Sequence, residues 1–393
     1  MPFLFLLSTF TSAYQLFLIQ LLIGKLLLPA FGGTPALWNT TLVFFQGALL
    51  IGYWYAQIVM VRIKPPYSVA LHFILLSCVA LLTHSHYDLP TVDAISSPAA
   101  AAIFWLLFYL GVPVIGLAST APLVQHWYSV RFPNSSPYKL YAASNLGSFG
   151  ALLLYPTVIE PQITLSNLLV SWRYCTWATC VLVLLCGVTT LNVKSSSSDK
   201  ITATAKESES KVSWHQRATW CLCSAASTGL MMSLTLYITT DVAAVPLIWT
   251  IPLSLYLLTF VTAFSDRHLV PLNFIWKWAP LLSIVLASTL LVNFGKASLS
   301  IGLLLSLLVL LSTLAHRTLA ASKPAVNKLG EFYLCISVGG LLGGTFQAIL
   351  APLIFNHLIE LPLFIGICML TRNFMPVENR KTSPFTLGRF SLI

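Results

Sequence analysis

About twelve apolar stretches, each long enough or nearly long enough to cross a bilayer, leave this chain few folds to choose from. A hydrocarbon core of about 30 Å takes roughly 20 helical residues at 1.5 Å each. The stretches 3–28, 36–61, 67–83, 99–125, 139–158, 172–193, 218–240, 242–264, 273–294, 298–320 and 332–355 meet or approach that length. They are continuous apolar runs without the period-two alternation of barrel strands. Helices bond every backbone group within their own segment, as lipid demands. A twelfth stretch, 358–371, has 14 residues and as a helix reaches only about 21 Å. It must thin the bilayer, begin deeper than its neighbours or fail to cross. With 57% hydrophobic and 8% charged residues, the composition lies far from that of soluble domains. An all-α polytopic membrane protein of about twelve helices is expected.

The basic residues orient it. Lys and Arg near span ends are retained on the cytoplasmic side. An N-terminus inside puts Arg62, Lys64, Arg131, Lys139, Lys194, Lys200, Lys206, Lys211, Arg217, Arg267, Lys277, Arg317, Lys323, Lys328, Arg372, Arg380, Lys381 and Arg389 on that side, 18 of 21. Only Lys25, Arg173 and Lys296 are left outside. The net charge of +10 therefore reflects topology and anionic inner-leaflet lipid, not a nucleic-acid footprint. A multi-pass protein of a bacterial cytoplasmic (inner) membrane, both termini inside, is the expectation. The first stretch lacks a basic n-region and is too long for a signal-peptide core, so it reads as a retained span.

One polar stretch interrupts the chain, 194–217, rich in Ser, Lys, Glu and Thr, and it reads as a cytoplasmic linker. It separates a first six-helix bundle, 1–193, from a second, 218–371, which is followed by a basic tail, 372–393. The bundles echo each other. The first helix of each is followed by P-x-x-W, Pro35/Trp38 and Pro246/Trp249, and the first of these follows a Gly32-Gly33 turn. Cytoplasmic turns carry Arg62 and Asp266-Arg267 in corresponding places. The fifth helices begin Lys139-Leu140-Tyr141 and Glu331-Phe332-Tyr333 and turn glycine-rich, with Gly147 and Gly150 against Gly339, Gly340, Gly343 and Gly344. An even number of spans in each half makes the repeat parallel, an arrangement of transporters with a pathway between two halves. The glycines read as close-packing contacts. The eight cysteines fall in spans and read as small apolar packers. Trp54, Trp127, Trp172, Trp214, Trp276 and Trp278 stand near span ends and read as interface anchors.

Polar residues inside spans are costly and mark candidate sites. Lys25, near the outer end of helix 1, and Asp241, at the outer end of helix 7 after Thr239-Thr240, occupy comparable places in the two halves. Two roles fit them: an ion pair closing the outer mouth, or a snorkelling lysine and a capping aspartate. Gln15, Gln20 and Lys25 are five residues apart, about 140° per step, so they do not share one stripe. Gln46 on helix 2 and Ser144, Asn145 and Ser148 on helix 5 either line a path or bond between helices. Glu331 opens helix 11, as a cap or as an inner gate partner of Lys139 or Arg317. His84, His86 and Asp88 form a solvated outer loop rather than a metal site. No metal or cofactor is expected, and no nucleophile elbow, zincin helix or phosphate loop marks an enzyme or an ATPase.

The stretches QLLIGKLLLPAFGGTPALWNTTLVFFQ (20–46), LASTAPLVQHWY (117–128), LYAASNLGS (140–148), YITTDVAAVPLIWTIPLSLYLLTF (237–260) and EFYLCISVGGLLGG (331–344) together resemble one family. It is the bacterial fused major-facilitator/spermidine-synthase-like family, and the similarity spans most of residues 10–370. The family pattern falls on Lys25, Gly32, Gly33, Pro35, Trp38, Tyr141, Asn145, Asp241, Pro246 and Glu331. Long members continue into a soluble aminopropyltransferase-like domain. This chain stops soon after residue 371, so that activity is not implied. The acidic-basic glycine turn of facilitators between helices 2 and 3 is missing. The resemblance implies a secondary transporter of a small organic solute, polyamine-like or siderophore-like, working by alternating access. The alternative is a non-transporting subunit or scaffold for a separate soluble synthase or a transport ATPase.

Overall fold

In the computed structural model, described residues are 2–32, 35–83, 98–133, 135–191, 212–239, 249–265, 270–292, 297–325, 328–355 and 359–375. Twelve helices account for nearly all of them. In the first half they are α1 (Pro2–Phe31), α2 (Pro35–Arg62), α3 (Pro65–Leu82), α4 (Pro98–Arg131), α5 (Tyr138–Leu154) and α6 (Leu165–Leu191). In the second they are α7 (Trp214–Tyr237), α8 (Thr250–Phe264), α9 (Leu272–Val292), α10 (Ala297–Ala321), α11 (Leu329–Thr345) and α12 (Glu360–Leu370). Nine helices are long and apolar enough to cross a membrane, counted among the described residues. The short last segment is indeed short. Its 11 helical residues rise about 16 Å before a 3₁₀ turn, Thr371–Phe374, continues it.

The repeat shows in the contacts. Helix α1 packs along α5 as α7 packs along α11, and α2 along α4 as α8 along α10. Across the divide, α2 meets α11 and α5 meets α8; a two-fold axis exchanges these two contacts. The fifth helices match in detail as well. Each approaches the first helix of its bundle through a glycine. A Cβ on Gly147 would collide with the Phe10 carbonyl, and one on Gly339 with the Cys221 carbonyl. Each then widens into a π turn, Tyr155–Ile159 and Phe346–Leu350, and ends in a short helical segment, Glu160–Gln162 and Ala351–Ile354. Small residues let the backbones close to van der Waals distance, which is what holds helices together where no hydrophobic effect can.

Several boundaries differ from the sequence reading. Helix α7 begins at Trp214, four residues inside the stretch read as linker, because the Ser213 hydroxyl caps it by accepting from Gln216 N, 3.1 Å. Helix α6 begins at Leu165 rather than 172, so Arg173 lies two turns into a helix and not at its edge. Of the supposed anchors, Trp127, Trp172 and Trp276 are buried. Trp127 donates to Ser68 Oγ (3.2 Å) and Trp172 to the Gln15 carbonyl (3.0 Å), which removes the reason for those indoles to seek the interface. Trp54 and Trp214 are exposed, as anchors are.

Candidate substrate cavity between the two halves

The halves do not close solidly on each other. A cavity of about 190 Å³ lies between them, room for on the order of a dozen waters. It is walled by α1, α2, α4 and α5 on one side and α7, α8 and α11 on the other. Six residues named from sequence line it: Gln20, Gln46, Tyr141, Ser144, Asn145 and Ser148. The second half adds Ser224, Thr228, Tyr256, Phe260 and Ser337. No Asp, Glu, Lys, Arg or His is among the described lining residues. The wall is mostly aliphatic and aromatic, with amides and hydroxyls set into it.

The remaining candidates go elsewhere. Gln15 donates to Cys175 O (2.7 Å) and Thr179 Oγ1 (2.6 Å) and accepts from Thr176 Oγ1 (3.3 Å). It ties α1 to α6 and does not reach the cavity. The three polar residues of α1 thus point three ways, as their 140° steps require: Gln15 to α6, Gln20 to the cavity, Lys25 to the end of α5. Lys25 Nζ bonds Glu160 Oε1 at 2.9 Å, a partner within its own half that the sequence reading did not name. Glu331 Oε1 takes Arg217 Nε at 2.6 Å. Sequence had offered it Lys139 or Arg317, but Arg317 donates to Val270 O, 3.2 Å. Arg217 wins because the close α7–α11 contact brings the two N-terminal ends together.

Gly32 ends α1 with φ 72°, a conformation that favours glycine. Trp249 is buried at the start of α8. Pro35 and Trp38 lie in α2, with side chains outside the described set. Gly33, Thr240, Asp241, Pro246, the His84–Asp88 loop and Asp266-Arg267 also lie outside the described residues, as do 194–211 of the linker and 376–393 of the tail.

Toward the N-terminal ends of α5 and α11 the cavity meets an aromatic stack. Tyr141 lies against Tyr333 (4.9 Å, 18°) and Phe264 (4.8 Å), and Tyr53 against Tyr333 (6.2 Å). Tyr138 donates to Pro324 O across the divide (2.7 Å), and Tyr333 to Gln125 Oε1. These bonds clasp the two halves at one end.

His316 and Glu360 are among the buried polar groups that the sequence analysis did not name. His316 stands behind the wall, Nδ1 on Thr259 Oγ1 (2.8 Å), Nε2 on Ser227 Oγ (3.1 Å), its ring stacked on Phe260. Glu360, the first residue of α12, is 5% exposed. It faces Gln347 Nε2 (3.4 Å), whose Oε1 accepts from Ser233 (2.7 Å). Asp241 is therefore not the sole acid to weigh inside the spans. A lone His in an apolar run, and a lone Glu at a span edge, carry no spacing signal.

Solved structures share this architecture. The xylose transporter of E. coli in an inward-open form superposes with TM-score 0.58 at 12% identity, over 98% of this chain and 97% of that one. A D-xylose-proton symporter follows at 0.56 and 13%, over 95% and 98%. The fucose:proton symporter of E. coli gives 0.52 and 15%, over 96% and 98%. The fold is the major-facilitator fold. At these identities the likeness establishes architecture and leaves chemistry to the residues. No family model matches the chain, and no curated protein does.

Proposed function

We propose that this protein is a secondary carrier of a small solute, working by alternating access between its two six-helix halves. The observation that carries this reading is the cavity between symmetry-related helices, apolar-walled with amides and hydroxyls set into it, and clasped at one end by removable side-chain contacts. A scaffold has no use for such a cavity. Desolvated hydroxyls and amides would cost it stability, whereas a carrier uses them to hold its cargo. Rocking of one half against the other then exchanges the clasped end for the opposite one.

The charge asymmetry supports placing both termini, and with them the Tyr141–Tyr333 clasp, on the cytoplasmic side of an inner membrane. The motif resemblance supports kinship with the membrane portion of the fused facilitator/synthase-like family. The structural neighbours are named for xylose and fucose, two neutral sugars. For a polyamine the cavity supplies no carboxylate, and for a siderophore chelate little room.

The test requires no knowledge of the cargo. In a background with the eight cysteines replaced, Ser144→Cys is exposed to a membrane-impermeant maleimide from either face of oriented vesicles. Alternating access predicts labelling from both faces. Labelling from neither, or from one alone under all conditions, rules it out.

A further inference from the structure

Two residues of the cavity wall carry a polar atom with no partner among the described residues. Gln46 Oε1, on α2 of the first half, and Ser337 Oγ, on α11 of the second, are both buried and both without a hydrogen-bond partner. Both residues line the cavity. A buried acceptor left open costs about 1–3 kcal/mol, and native proteins retain few of them. Gln46 is moreover held where it is. Its Nε2 faces Met232 Sδ at 3.9 Å, and its Oε1 occupies the space that a side chain at position 344 would fill. Glycine at 344 thus makes room for this amide.

We infer that the cargo is an uncharged, hydroxyl-bearing solute with one apolar face, held between Gln46 and Ser337. This rests on the carrier reading and names its substrate class. An amide oxygen only accepts, so the group it meets must donate; a serine hydroxyl does both. A hydroxyl on the cargo satisfies either. The described lining residues offer no charge to compensate a cation or an anion, and an unpaired charge brought into such a site costs desolvation. The apolar face has its own seat. Tyr256 is fixed by the bond between its hydroxyl and Thr228 Oγ1, 3.0 Å, and stands edge-on to Phe260 at 5.3 Å. Such a pair suits the C–H face of a ring-shaped polyol.

Liposomes bearing the full chain and preloaded with unlabelled probe are given labelled D-xylose, L-fucose, myo-inositol, spermidine or a ferric siderophore chelate. Saturable exchange of at least one neutral polyol is expected, with spermidine and the chelate at least about tenfold slower. Exchange of spermidine or the chelate without any polyol overturns the substrate class and leaves the carrier standing. Exchange of none of the five by the unaltered protein overturns both. For the polyol that moves, Gln46→Leu, Gly344→Ala and Ser337→Ala should each raise half-saturation about tenfold, the equivalent of about 1.4 kcal/mol. Ser337→Thr, which keeps a hydroxyl, should restore it. Unchanged half-saturation in Gln46→Leu and Ser337→Ala, at unchanged melting temperature, overturns the assignment to these two residues.

Discussion

The two halves touch in the same way and are locked in different ways. In each, the fifth helix lays a glycine on a carbonyl of the first, Gly147 on Phe10 and Gly339 on Cys221. The polar bonds do not follow the repeat. The first half carries its ion pair at the far ends of its helices, Lys25 to Glu160, and a buried amide, Gln15, between α1 and α6. The second carries its ion pair at the near ends, Arg217 to Glu331, and buries His316 and Glu360. Backbone approach depends on where small residues fall, which a repeat copies faithfully. A charge or an amide needs only a partner within reach, and the partner can change on either side. One consequence is that each half is braced internally at a different end and by different partners.

The largest expected effect attacks what the halves share. Gly339→Leu and Gly147→Leu each force a side chain into a backbone carbonyl. Overpacking of this kind costs roughly 1–3 kcal/mol or more, so both should lose most of their monodisperse protein in size-exclusion chromatography. If one tolerates the change, the equivalence of the two contacts is broken. Next in size is Gln15→Leu, which removes the bonds to Cys175 O and Thr179 Oγ1 and should cost about 1–3 kcal/mol, read as a fall in melting temperature. Transport per folded molecule should hold, since Gln15 does not line the cavity; a lost transport rate at normal stability would contradict this.

Smaller still, Tyr333→Phe deletes the bond to Gln125 across the divide, at about 1 kcal/mol. It should speed labelling of Ser144→Cys from the clasped end only. Equal acceleration from both ends would show that this tyrosine does not act as a clasp. The smallest changes are Lys25→Ala and Arg217→Ala. Their side chains remain 41% and 31% exposed, so water screens each pair and stability should move by about 0–1 kcal/mol. Each pair braces a single half and does not cross the divide, so labelling of Ser144→Cys should change little from either face. A marked change from one face would show that the pair also governs how the halves meet.

Much of the fold could be read from the chain, and the reason is lipid. Where backbone groups have no water to bond, apolar length alone marks a helix, so all twelve segments correspond to helices. The parallel repeat was legible from Pro, Trp, Tyr and Gly in matching order. Helix ends were less so: α6 gained seven residues because nothing about Leu165–Ser171 distinguishes a loop from a polar first turn. The site was half legible. Gln20, Gln46, Tyr141 and Asn145 stand out as polar residues in apolar surroundings, but so does Gln15, and composition cannot say which amide faces a neighbour and which a cavity.

By itself the sequence determined class, helix number and the internal duplication, because each follows from the length or composition of a segment against a slab of known thickness. Tertiary structure alone decided the pairings: Lys25 with Glu160, Glu331 with Arg217, Gln15 with α6, and Gln46 facing Ser337's half across an uncharged space. Those depend on how far each helix is turned about its axis. A rotation of one residue, about 100°, sends the same side chain to lipid, to a neighbouring helix or to the solute.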